Sequence, residues 1–187
     1  MQRSCVISIL FLRPQPVGDA WINRLTAWLG WLFHGEGFCH TEICVSYNGA
    51  QVSSSVYQGE TVCLTQVKSF ANPGYVVLCM AVTNQELSEI IKFMSEAHRQ
   101  KVRFDATGMY LALLPVHICR STKGKTFCSK YVTDVLQFAG IAAVQGVNSS
   151  IVTPSRLYKL LKNDPECRQM VGSVQFKQAS LEHNAVI

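Results

Sequence analysis

The chain has 187 residues, 48% hydrophobic and 16% charged, with 17 Lys and Arg against 12 Asp and Glu for a net charge of +5. A chain of this length suits one folded domain and buries roughly 70% of the surface its unfolded form exposes, enough for a core without disulfides or metal. The composition excludes disorder over most of the length and a long coiled coil; the mild, scattered positive charge fits an anionic substrate or membrane surface and lacks the basic stripe with interleaved aromatics that nucleic-acid binding needs.

Residues 5–12 (CVISILFL) are apolar, rich in β-branched side chains and ended by Arg13-Pro14-Gln15-Pro16. They predict a buried strand rather than a cleaved leader, because a cleavage site needs small residues where these stand. Residues 19–33 (DAWINRLTAWLGWLF) predict an amphipathic helix, interrupted by Asn23, Arg24 and Thr26 and so too short and too polar to span a bilayer. Its stripe of Trp21, Leu25, Trp28, Leu29 and Leu32 is expected to pack into the core; a membrane-facing or substrate-facing surface at 21–33 is the alternative.

Residues 40–47 (HTEICVSY) alternate with period two, which puts His40, Glu42 and Cys44 on one face and Thr41, Ile43 and Val45 on the other. Asn48-Gly49 is a hairpin signal, so 50–56 return as a second strand; 61–68 make a third and YVVLCMA a fourth, predicting an antiparallel meander. Thr83 and Glu86 form a capping box before a buried stripe of Leu87, Ile90, Ile91 and Met94. Asp105 caps a short helix reaching Leu114, stopped by Pro115. Thr126 is expected to cap a helix from Phe127 to about Phe138, ended by Gly140, and Thr153-Pro154 opens the last, with Leu157, Leu160 and Leu161 on one side. From about residue 168 the pattern fades into a tail with one edge strand. The reading is an α+β fold, an antiparallel sheet of about four to six strands packed against helices, with one domain over 1–167 and a tail over 168–187.

The chain has eight cysteines and no Cys-x-x-Cys pair. Several lie in apolar runs, where a free thiol behaves as a small hydrophobe, so reduced cysteines in a cytoplasmic protein are expected. Cys128 differs by standing on the first turn of a helix, where unpaired N–H groups and the helix dipole favour a thiolate, with Arg120, Lys123, Lys125 and Lys130 acting in the same sense. Its spacing to Tyr131, Val132, Val135 and Leu136 also puts it on the helix's buried face, which is the ordinary place of a core cysteine. His40 supplies a base at the start of a strand, with Glu42 on the same face to fix its tautomer.

The order of a strand bearing His, a hairpin, further strands, helices and then Cys at a helix start resembles the circularly permuted NlpC/P60 class of papain-like thiol enzymes. His40-Thr41-Glu42-Ile43 resembles the His-x-Glu-aliphatic strand of bacterial, phage and large-virus members. Ser53-Ser54-Ser55 with Gly59 and Val62, Phe104-Asp105, Phe127-Cys128-Ser129-Lys130 and Val152-Thr153-Pro154-Ser155 with Leu157-Tyr158 are similar to their later motifs, over residues 5–162. The resemblance implies a permuted papain-like fold with a Cys–His–polar triad, Cys128 as nucleophile and His40 as base. The polar member is Glu42 or, at the neighbouring-strand position where related enzymes place it, Ser53. Lys130 departs from the acidic residue expected after Cys-Ser.

The activity implied is cysteine hydrolysis of the peptidase or amidase type, without cofactor. Lipid acyl transfer, thioester or phospholipid cleavage by the same residues is the first alternative, with the Trp-rich segment as a lipid-facing surface; a catalytically silent binding protein is the second. The expected partners are accordingly a peptide, amide or acyl-lipid substrate. Gly124-Lys125-Thr126 lacks the earlier glycine of a phosphate loop, and the spacing of His34, Cys39, His40 and Cys44 matches no familiar zinc pattern.

Overall fold

In the computed structural model the described residues are 3–15, 20–47, 49–67, 74–113 and 122–170. They form a six-stranded antiparallel sheet with five α-helices, so the α+β expectation is met. The strands are β1 (Cys5–Leu12), β2 (His40–Tyr47), β3 (Ala50–Ser55), β4 (Cys63–Gln66), β5 (Tyr75–Val82) and, after a separate two-residue parallel pair of β6 (Arg103–Phe104) with β7 (Lys125–Thr126), β8 (Cys167–Met170). The helices are α1 (Trp21–His34), α2 (Asn84–Arg99), α3 (Ala106–Ala112), α4 (Cys128–Phe138) and α5 (Pro154–Lys162).

Strand order is β4-β3-β2-β1-β5-β8. The meander therefore holds for β2, β3 and β4 and fails at the fourth strand, which crosses the sheet to pair with β1 instead of β4. Length and burial explain the difference. β4 offers four residues with an exposed end, whereas β1 offers a full ladder from Cys5↔Val82 to Leu12↔Tyr75, and the apolar run of β5 needs covered neighbours. The edge strand expected in the tail is β8, which pairs with β5 and straddles the proposed boundary at residue 167; residues 171–187 lie outside the described ones.

One face of the sheet carries the main core. Ile7, Ile9 and Phe11 of β1, Ile43 and Val45 of β2, and Leu78, Met80 and Val82 of β5 pack against Ile90 and Met94 of α2, Tyr131, Val132, Val135 and Leu136 of α4, and Leu157 and Leu161 of α5. Both faces of β2 are covered at its middle, since Thr41 to Val45 are all buried. The helix starts follow their local chemistry. Thr83 and Glu86 make the reciprocal capping box, Asp105 accepts from the Gly108 N–H, and Thr153 accepts from the Arg156 N–H with Pro154 next. The expected cap at Thr126 is a correction: α4 begins after Phe127, in extended conformation and with no side chain closing the end.

The expected core role of the α1 stripe is overturned. Trp21, Trp28 and Leu32 are exposed at 71, 56 and 51%, Leu25 and Trp31 are exposed too, and the buried side is Ile22, Thr26, Ala27 and Gly30. Close approach selects the small side. A Cβ at Gly30 would overlap the Ser155 hydroxyl of α5, so only a face of small residues fits there. Among the described residues no helix is long and apolar enough to cross a membrane.

Candidate active site

Two elements meet at one end of the sheet. β2 begins at His40, and α4 begins at Cys128 and packs across β2. The Cys128 side chain is buried at 5% exposure. Phe127 supplies no side-chain cap to α4, which leaves its first-turn N–H groups to the site. The Cys128 sulfur takes backbone hydrogen bonds from Thr41 and Ser129 and a side-chain hydrogen bond with His40. Burial alone would raise its pKa; the His40 charge and these hydrogen bonds outweigh burial and lower it. The charge acting on the sulfur is thus that of His40 rather than the lysines the sequence suggested. Lys130 pairs with Asp134 at 2.5 Å, and Arg120 lies outside the described residues.

His40 moves in the opposite sense. Burial pulls its pKa down, but the charge and hydrogen bond of Cys128, followed by those of Glu42, raise it to about 9. Each of the two groups thus favours the charged form of the other. The ring's orientation follows from its second nitrogen. Ser55 donates its hydroxyl proton to the Thr41 carbonyl at 2.9 Å, so its oxygen accepts from His40 Nε2 at 3.2 Å. Glu42 Oε1 stands 3.5 Å from the same nitrogen. Nε2 is accordingly the fixed N–H, and Nδ1 is left to exchange a proton with the sulfur. Tyr57 stacks on the imidazole, with centroids 4.5 Å apart.

Glu42 is held by three hydroxyls: Ser53 at 2.5 Å, Tyr57 at 2.6 Å and Tyr75 at 2.9 Å. Burial pushes its pKa up; hydrogen bonds from His40, Ser53 and Tyr57 more than offset this and bring it down to about 2. Burial, then the Glu42 charge, pushes both tyrosines up, so they stay protonated and keep donating.

Cys128, His40 and Glu42, separated in sequence, are thus brought together. Ser53 is not: it touches Glu42 instead of His40, and the serine at the imidazole is Ser55. Two-residue hairpin register carries the reason. Cys44 pairs with Ser53, so continuing the ladder sets Ser55 across from Glu42 and Tyr57 across from His40. Counting from Asn48-Gly49 could have found both. Tyr75 had no local signal, since it reaches the site only through the long-range pairing of β5 with β1.

The sulfur and imidazole open on a pocket of about 200 Å³, walled by Leu12, Tyr57 and Met109 and by Ile22, Asn23 and Thr26 of α1. Glu42 faces a separate hollow of about 450 Å³ on the other side, with Ser53, Thr65 and Tyr75. Of the other histidines, His98 binds the Val62 carbonyl at 3.0 Å and has a structural place. Among the described residues no three His, Cys, Asp or Glu side chains gather as a metal site. No family model matches the chain, and no curated protein matches it.

Proposed function

We propose that the chain is a papain-like thiol hydrolase of the permuted NlpC/P60 kind that its motif order resembles, cleaving an amide or ester acyl bond in a reducing, cytoplasmic setting. The observation that carries the reading is the buried Cys128–His40 pair, with the Nε2 side of the ring tied to Ser55 and Glu42. The seven cysteines among the described residues are all free, which fits a reducing compartment.

In this reading the Cys128 thiolate attacks the acyl carbonyl carbon, forming a carbon–sulfur bond. The bond to the leaving nitrogen or oxygen breaks as His40 gives it the Nδ1 proton. Water then adds to the thioester, His40 takes its proton, and the carboxylic acid leaves as the thiolate returns. The positive end of α4 favours the charge that the carbonyl oxygen gains. Glu42 acts as the orienter, keeping the imidazole turned and its positive charge stable. A second reading keeps the same residues and makes the acyl donor a lipid; the exposed aromatic face of α1, whose inner side walls the pocket, favours it.

The test is trapping. Incubation with an activated ester such as p-nitrophenyl acetate should leave an acyl group on Cys128, seen by intact mass and peptide mapping and released by hydroxylamine. Cys128→Ala should abolish the adduct, and His40→Ala should slow it by about 10²-fold or more. Failure to acylate, with Cys128 no more reactive than the other thiols, would leave a silent binding protein as the correct account.

A further inference from the structure

The three tryptophans of the chain are Trp21, Trp28 and Trp31, and all three lie exposed on α1. At 100° per residue Trp21, Leu25, Trp28 and Leu32 fall on one line down the helix, turned away from the buried side of Ile22, Thr26, Ala27 and Gly30. Trp31 and Arg24 lie together along one side of that line. No Asp or Glu occurs between residues 21 and 34.

The C-terminal end of α1 is ringed by cations. Arg156 and Lys159 of α5 both act on His34, and Arg13 and Lys162 converge on a single acid, Glu36, at 3.2 and 3.5 Å. Two cations on Glu36 and two more at His34 leave an excess of positive charge at this end of the helix. Tryptophan with adjacent Lys and Arg is the composition that settles at the headgroup level of an anionic bilayer, and a 14-residue helix lies in that plane rather than across it.

We propose that α1 docks the protein flat on an anionic lipid surface, and that the acyl group presented to Cys128 belongs to a lipid of that surface. The docking part stands on exposure and charge alone; the substrate part rests on the thiol-hydrolase reading. The same helix performs both roles, because Ile22, Asn23 and Thr26 wall the pocket while Trp21 and Trp28 face away from it.

Since every tryptophan is on α1, intrinsic fluorescence reports this face alone. Adding vesicles of phosphatidylcholine with phosphatidylserine should shift the emission to the blue, and brominated lipid should quench it; pure phosphatidylcholine should do so weakly. Trp28→Ser with Trp31→Ser should cut vesicle binding by about tenfold or more. Lys159→Ala with Lys162→Ala should cut it by about fivefold per charge, in a salt-sensitive way. Cys128→Ala should bind like the wild type. The tryptophan double variant should retain the wild-type melting transition and Cys128 acylation by a soluble ester, while losing release of fatty acid from the vesicles.

Emission already blue-shifted in dilute protein without lipid would mean that the chain's own segments cover the face, and a shift with concentration matched by dimer sedimentation would mean that a second copy does. Either result, or no response to anionic vesicles, overturns docking. Normal docking with no acyl–Cys128 formed from any ester overturns the hydrolase reading instead. Normal docking and acylation by soluble ester, but no lipid turnover, overturns the substrate assignment only.

Discussion

His40 and Cys128 each favour the other's charged form, and this shapes the pH dependence of the thiol. The lowered pKa of Cys128 extends its thiolate toward lower pH, and the imidazolium that supports it is lost as His40 deprotonates near pH 9. Iodoacetamide labelling of Cys128 should therefore slow less between about pH 8 and about pH 6.5 than that of an ordinary thiol with a pKa of about 8.5, which slows about 25-fold over that span. His40→Ala should restore the ordinary steep dependence. Peptide mapping after brief labelling reads both, and preferential labelling of another cysteine would remove the nucleophile assignment.

The neighbouring carboxylate carries a stability term with its own sign. Glu42 has its pKa lowered from 4.5 to about 2, so its contribution is fully present above about pH 4.5 and is lost as the pH falls through about 2. The term is worth ~3 kcal/mol for this largely buried group. Thermal melts between about pH 5 and pH 2 should fall steeply for the wild type and more shallowly for Glu42→Gln. Equal slopes would mean that the three hydroxyls do not hold the carboxylate as an anion.

At the scale of elements, α1 illustrates where patterning misleads. Its hydrophobic stripe is real, yet the face that packs is the one with Thr26, Ala27 and Gly30, because the Ser155 hydroxyl and the Glu36 carbonyl leave no room for a Cβ at Gly30. Gly30→Ala should accordingly destabilise the protein by about 1–3 kcal/mol through overpacking, although alanine gains about 1 kcal/mol in helix propensity. Trp28→Ala, at an exposed position, should change stability by less than about 0.5 kcal/mol. Urea unfolding of the two variants measures the contrast, and the reverse order would restore the expected core role of the stripe.

Strand and helix positions along the chain were largely legible, because period-two alternation in β2, the Thr83 capping box and the Thr153-Pro154 start are local signals. The site was legible in its Cys128, His40 and Glu42, whose neighbours are set by one helix start and one strand. What sequence could not carry was the face on which α1 packs and the partner of β5, since both depend on contacts between distant segments. Tyr75 shows the cost of that: its hydroxyl bonds to Glu42 only because β5 runs beside β1.

For the whole molecule, the division of labour between sheet and helix has a consequence for synthesis. His40, Glu42, Ser53, Ser55, Tyr57 and Tyr75 all come from the first half of the chain, on strands or beside them, while the sulfur arrives later with α4. A nascent chain can thus complete the base and its hydrogen-bond partners before the nucleophile leaves the ribosome. Cys128 then has an ordinary thiol's reactivity until α4 settles against β2, because the charge and N–H groups that lower its pKa are supplied by Thr41, His40 and its own helix start. The reactive thiolate is in this way a property of the finished fold, and an incompletely folded chain carries no strong nucleophile to turn upon itself or its neighbours.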